Sequence, residues 1–249
     1  METVVVTAST GAFPGLVEAL RAIPVLVEEH PLMNFAPPAS WASLDSALNR
    51  WSSYTDVAFT SPRAAAAVLE RMTVSPLNQS IPRVWAGGAA TKASLGEGIG
   101  RVLMPNEADA ETLGAGEALA CAMLSAGVGG PVLFPCGDGR RDELPERLRS
   151  RGVTVDEVVC YRSVLAPESV ARAAAARGTM LVVASPTVAN LLVRACPPDV
   201  RPDLLAVGPT TAASARASGW LPAAVATSPS AGALAAAVKD VLARRAVHE

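Results

Sequence analysis

Two hydrophobic rhythms alternate along this chain. Short β-branched runs such as Thr3–Thr7 (TVVVT) and Asp56–Thr60 (DVAFT) give way to Ala/Leu-rich stretches with apolar positions three or four residues apart. The first pattern predicts strands and the second predicts amphipathic helices. In order, the pattern predicts a strand at 3–7, a helix at 13–23 and a strand at 24–33. Asn34–Ser40 (NFAPPAS), with its paired prolines, is expected to be a linker. Beyond it, helices are expected over 41–51, from 62, and over 90–98, 109–127 and 141–152. They are interleaved with strands at 56–60, 83–87, 101–104 and 131–135. Val153–Pro167 is β-rich and unusually long. Helices over 168–178, from 186, over 209–219 and from about 230 then alternate with strands at 180–185, 204–208 and 223–227.

Such alternation implies parallel sheets with helices on both faces. Roughly ten strands exceed one compact sheet of usual size, and an internal repeat argues for two sheets. Ser61-Pro62 after one strand returns as Ser185-Pro186 after another. Gly88-Ala89-Ala90-Thr91 returns as Gly208-Pro209-Thr210-Thr211. The copies are not simple tandem repeats, because two strands precede the Pro-rich linker and none of that kind directly precedes the second Ser-Pro pair. A discontinuous arrangement is expected. Residues 1–34 would join 167–249 in one α/β domain, residues 40–160 would form the second, and 35–39 and 161–166 would connect them with a hinged cleft.

Composition narrows the chemistry. The 249 residues are 50% hydrophobic, and Lys+Arg 21 against Asp+Glu 23 gives a net charge of −2. No basic stripe with stacking aromatics is present, so a nucleic-acid partner is not expected. Cys121, Cys136, Cys160 and Cys196 have no CxxC spacing, and the chain has only His30 and His248. A disulfide scaffold, a metal site and a histidine triad are therefore not expected. The start METVVVTAST lacks a signal-peptide pattern, and no apolar run reaches membrane-spanning length; cytoplasmic location is expected. Without a coiled coil or other association motif, a monomer is expected.

The repeated corners carry the functional signal. Each lies at the carboxyl end of a strand, where open α/β sheets bind ligands. Each opens a helix whose unpaired N–H groups and positive dipole end attract anions. Ser61 and Ser185 suit the N-cap, Pro62 and Pro186 suit the first helical position, and Thr91, Thr210 and Thr211 lie in or beside first turns. A cap alone explains any one corner. Four in matching blocks suggest two anion-attracting rims suited to several carboxylates or phosphates. Gly137–Leu144 (GDGRRDEL) matches neither GxGxxG nor a P-loop, so no nucleotide cofactor is expected. Its Arg140 and Arg141 fit an anion site or surface pairs with Asp142, Glu143 and Glu146. Tyr161 is one of two tyrosines and sits in the long β-rich segment. It suits a proton donor or, equally, a half-buried strand aromatic.

Taken in order, FTSPRAAAAVLE, AGGAATKASL, LFPCGDGRRDELPERLRSRGVTVDEVVCYRSV, VVASPTVANLL and AVGPTTAASARASGW resemble the uroporphyrinogen-III synthase family over most of the chain. The resemblance implies two flavodoxin-like domains joined by a two-stranded β connector, with a cleft between them. It implies a cofactor-free enzyme acting on hydroxymethylbilane, a linear tetrapyrrole polycarboxylate, and admits transient contact with the enzyme that makes it. The implied reaction is dehydration to an azafulvene, attack at the substituted carbon of ring D through a spiro intermediate, and closure with ring D inverted. The product, uroporphyrinogen III, leads to haem, sirohaem, chlorophyll or cobalamin. The resemblance implies that Tyr161 assists departure of the hydroxyl. It also implies that Thr7, Ser61, Pro62, Gly88, Thr91, Gly137, Ser185, Pro186, Gly208, Thr210 and Thr211 contact substrate.

Two positions depart from the family pattern. Thr7-Ala8 replaces a usual Thr-Arg, and Pro135-Cys136 replaces a usual Pro-Arg. Each removes a potential carboxylate partner, with Arg63 and Arg140 as candidates to compensate. The departures keep open a second reading, a non-catalytic synthase-like module that binds or senses a tetrapyrrole. A hinged binder of another small anion is a third.

Overall fold

A computed structural model describes residues 2–9, 11–74, 82–96, 99–175 and 179–246. The chain divides into two compact units, Met1–Asn34 with Val164–Glu249, and Phe35–Ser163. Both are parallel sheets layered with helices, and the chain passes from one to the other within two of its strands.

The first unit contains β1 (Glu2–Val6), α1 (Leu16–Arg21) and β2 (Val25–Glu29). After the other unit it resumes with α8 (Pro167–Ala175), β9 (Met180–Val183), α9 (Pro186–Ala195) and β10 (Asp203–Ala206). α10 (Pro209–Ala217), β11 (Ala224–Val225) and α11 (Ala231–Ala246) follow. The sheet order is β11-β10-β9-β1-β2, all parallel. Because strand side chains alternate between faces, Val4, Val6 and Val182 join one core with Leu20, Leu234 and Val238. Val5, Leu181 and Val183 join the opposite core with Leu192 and Trp220. Burial on both faces is why these strands read as continuous apolar runs. Each such buried Val or Leu contributes roughly 1.5–3 kcal/mol.

The second unit is built from α2 (Ala42–Asn49), β4 (Asp56–Phe59), α3 (Pro62–Val74), β5 (Arg83–Ala86), α4 (Ala89–Leu95) and β6 (Val102–Leu103). α5 (Glu107–Leu113), α6 (Ala115–Ser125), β7 (Val132–Gly137), α7 (Glu143–Arg149) and β8 (Val155–Leu165) complete it. With β3 (Met33–Ala36) the sheet order is β3-β8-β7-β4-β5-β6. The ladder from β8 to β6 is parallel throughout. At the start of β4, fully buried Asp56 accepts from the Trp85 indole N–H (2.7 Å), Arg83 and the Thr55 hydroxyl (2.8 Å). A buried carboxylate persists only when satisfied in this way.

Written by position, the first sheet runs 2-1-3-4-5 when β1, β2, β9, β10 and β11 are counted in chain order, the flavodoxin-like order. The second runs the same way when its strands are counted from β7, as β7, β8, β4, β5 and β6. The units are circular permutations of one topology. β4 corresponds to β9 and β5 to β10, which places the Ser-Pro and Gly-x-x-Thr corners at equivalent positions.

Three local expectations are corrected. The single helix at 109–127 is two helices, because Gly114 adopts φ 87° between α5 and α6. The strand at 24–33 ends at Glu29, and Met33–Ala36 forms the separate β3, so part of the expected linker is sheet. The helix at 13–23 starts only at Leu16, after Gly15 with φ 77°. The expected ends of the helices at 97–98 and 176–178, and His248, lie outside the described residues.

Candidate functional site

The four corners share one local construction. Ser185 is the N-cap of α9, its Oγ accepting from the Val188 N–H (3.3 Å), with Pro186 opening the helix. Ser61 does the same before α3, accepting from the Arg63 N–H (3.2 Å) and the Ala64 N–H (3.5 Å), with exposed Pro62 as first residue. Gly88 and Gly208 precede α4 and α10 in extended conformations, φ −176° and −165°, without a side-chain cap. Those angles do not call for glycine, and a Cβ at either position would meet nothing within 4 Å. The fold leaves both corners open.

The hydroxyls divide by burial. Ser61 and Ser185 are half-buried and Thr210 is exposed, whereas Thr91 and Thr211 are buried in the first turns of their helices. Thr7 is 1% exposed and donates to the Val182 carbonyl (2.7 Å), tying β1 to β9. Its position does not support the expected contact with substrate.

In the second unit the structure gathers Ser61, Gly137 and Tyr161 on the wall of a pocket of about 410 Å³. Thr60 and Ser61 come from the end of β4, Gly137 from β7 and Tyr161 from β8, while the α5–α6 junction around Gly114 forms another side. An irregularity between Cys136 and Gly137 places Gly137 opposite Tyr161 in the ladder. Here the Tyr161 hydroxyl lies 3.1 Å from Ser61 Oγ. The Tyr161 ring meets Phe35 edge-on at 5.6 Å between centroids, and the Arg63 guanidinium stacks 3.6 Å from the Phe35 centroid. The backbone is pinned on either side: the Asp138 N–H donates to the Tyr161 carbonyl (3.2 Å), and the Ser163 N–H donates to the Asp138 carboxylate (2.9 Å).

The charges near the pocket are unequal. Arg140 lines it but is held by Glu157 and by Asp142 at 3.0 Å; Glu157 also pairs with Arg149 at 2.6 Å. Arg141 is 81% exposed and only 4.0 Å from Glu143, an arrangement that contributes little as a pair. Of the two candidates to replace the family's missing cations, Arg63 stacks on the Phe35 ring that meets Tyr161, and Arg140 is already paired with Glu157 and Asp142. Cys136 is buried and donates to the Val158 carbonyl (3.6 Å); burial, then the Glu157 charge, push its thiol up to about 11. It supplies no charge. Ala8 is likewise buried at the end of β1.

Phe35, Thr60, Gly114 and Glu143 also belong to this neighbourhood, and none is among the residues expected to contact substrate. Phe35 lay in the expected linker, and the Gly114 junction was hidden in an expected continuous helix. A signal was present in Gly114 itself, since glycine inside a helical pattern weakens it. Among the described residues no group of three or more His, Cys, Asp or Glu could hold a metal ion, and no helix is long and apolar enough to cross a membrane.

Fold and site together define an α/β protein of two permuted parallel-sheet units with a tyrosine–serine pair on a pocket wall at the carboxyl edge of one sheet. Residues 15–236 match the family model described as uroporphyrinogen-III synthase HemD, and the chain belongs to that family. A uroporphyrinogen-III synthase of Synechococcus elongatus is 26% identical over 166 residues, 65% of this chain and 61% of that relative's length. Similar solved structures include a mutant uroporphyrinogen III synthase of Thermus thermophilus (TM-score 0.67, 15% identity, 98% of this chain and 100% of that one). The Helicobacter pylori uroporphyrinogen-III synthetase is comparable (TM-score 0.63, 16% identity, 98% and 100%). At these identities the structures speak to the fold.

Proposed function

We propose that the chain is a uroporphyrinogen-III synthase that closes hydroxymethylbilane with inversion of ring D, without a cofactor. The observation that carries this reading is the Tyr161–Ser61 hydroxyl pair, 3.1 Å apart at the carboxyl edge of a parallel sheet and on a pocket wall. Tyr161 acts as the proton donor when the substrate hydroxyl departs as water. In that role Ser61 donates to the phenol oxygen, leaving the phenol proton directed at the departing group. Ser61 Oγ already accepts backbone N–H groups at the start of α3, so its own proton is available for this. In the second unit the turns after Ser61 and Gly88 offer backbone N–H groups to substrate carboxylates, and in the first unit the turns after Ser185 and Gly208 offer the same groups. Selectivity then comes from positioning, because unguided closure gives the unrotated type I isomer.

The test is incubation with enzymatically generated hydroxymethylbilane and separation of the isomers. Type III product is expected; accumulation of type I alone would refute the assignment. Tyr161→Phe is expected to lower kcat by roughly 10²–10⁴ with little change in KM, the range typical of losing a general acid. The uncharged Ala8 and Cys136 favour a second reading, a tetrapyrrole-binding module without isomer control. Binding of hydroxymethylbilane with only type I product would select it.

A further inference from the structure

We propose that Gly137 is a positioning residue for Tyr161: its missing side chain is the seat on which the phenol ring rests. The catalytic consequence rests on the synthase reading, but the geometry does not. Gly137 is not among the glycines with positive φ, and it lies within β7, so backbone conformation does not require glycine there. What requires it is the ring. A Cβ at position 137 would lie 2.5 Å from Tyr161 Cζ, 2.6 Å from Cε2 and 2.8 Å from the hydroxyl oxygen, closer than real Cβ atoms come. All three atoms are at the far end of one side chain, so an added methyl would displace the ring and leave the sheet in place.

Two other contacts hold the ring where it is. Phe35 meets it edge-on, and Ser61 holds its hydroxyl. Gly137 completes this seat because the irregularity at Cys136/Gly137 brings residue 137 opposite residue 161. Gly137→Ala therefore removes the phenol from Ser61 and from the pocket wall while keeping every hydroxyl in the protein. Gly137 acts through Tyr161, and its loss resembles loss of the phenol.

The experiment compares Gly137→Ala, Tyr161→Phe and the double variant in the full chain, with ring-labelled tyrosine for NMR. The chain has only two tyrosines, and Tyr54 is bonded to Asp156 (2.8 Å), so the two signals are assigned by Tyr161→Phe. Gly137→Ala is expected to shift the Tyr161 signal and leave the Tyr54 signal in place. With hydroxymethylbilane, it is expected to lower kcat roughly as far as Tyr161→Phe does, on the order of 10²-fold or more. The double variant should be no slower than Tyr161→Phe, within about twofold, as expected for two changes acting through one group. An unmoved Tyr161 signal, unchanged turnover, or multiplied losses in the double variant would each overturn the proposal. If no variant and no wild-type sample makes type III product, the synthase reading fails and the NMR comparison still decides the seat. Should Gly137→Ala melt early, adding Tyr161→Ala must restore the melting temperature; failure to restore it would place the clash outside the ring and overturn the proposal.

Discussion

Ser61→Ala isolates the one oxygen shared between a helix cap and the candidate acid. The substitution removes a half-buried Oγ that accepts from Arg63 N–H at 3.2 Å and Ala64 N–H at 3.5 Å, and that bonds Tyr161 at 3.1 Å. Loss of a serine cap costs about 1 kcal/mol, within a range of about 0.5–2. Loss of a neutral hydrogen bond costs about 0.5–1.5 kcal/mol net. The expected destabilisation is therefore about 2 kcal/mol, or a fall in Tm of about 4–8 °C for a chain of this size. Tyr161→Phe removes only the hydrogen bond and is expected to cost about 1 kcal/mol. The bond can be lost only once, so the double variant should be less destabilised than the sum of the singles by about 1 kcal/mol. Urea denaturation of the three variants measures that coupling, and Ser61→Thr, which keeps the oxygen, should restore most of the lost stability. Costs that add within about 0.3 kcal/mol would refute a direct Ser61–Tyr161 interaction. The kinetic ordering is a second check: Ser61→Ala retains the phenol and should slow turnover less than Tyr161→Phe.

Asp56→Ala should destabilise by about 1–3 kcal/mol, since it leaves the buried Trp85 indole N–H without a partner while the half-exposed Arg83 stays hydrated; a loss below about 0.5 kcal/mol in urea melts would contradict that network. Burial raises Cys136 to about 11 and Cys160 to about 12 from 9.0. Because the folded values lie above the unfolded ones, the stability linked to each thiol is complete below pH about 9. It falls as pH rises, by about 1.4 kcal/mol per unit per thiol, until its folded value is passed. Comparing the stability of Cys136→Ala with wild type between pH 9 and 10.5 should show a shallower decline in the variant; parallel curves would refute it. Gly208→Ala should leave the melting temperature unchanged or raise it slightly, because φ is extended and the site is open. In the synthase assay its effect should fall on KM, and an unchanged KM would remove that corner from the substrate contacts.

The strand–helix alternation and its two-sheet consequence were legible because burial on both faces writes continuous apolar runs into a strand. Val4 to Val6 and Leu181 to Val183 supply side chains to both cores. The repeated Ser-Pro and Gly-x-x-Thr corners were legible for a similar reason: capping chemistry is local, and Ser61 and Ser185 each bond N–H groups within three residues. The fate of Thr7 was not legible. The same hydroxyl that suits a ligand serves the sheet equally well once Val182 is beside it.

Chain order concealed the symmetry of the two units. β7 and β8 follow the Ser-Pro block in one, while β1 and β2 precede it in the other, so permuted copies look unequal until strands are ordered in space. The residue types at the corners, the scarcity of histidine and the neutral character of positions 8 and 136 were settled by the sequence. Tertiary structure decided that Tyr161 lies over Gly137, that its hydroxyl meets Ser61 across 100 residues of chain, and that Arg63 stacks on Phe35 while Arg140 pairs with Glu157. Those contacts depend on a ladder irregularity and on charge pairing between distant segments. Period and spacing report only what neighbours along the chain impose on one another.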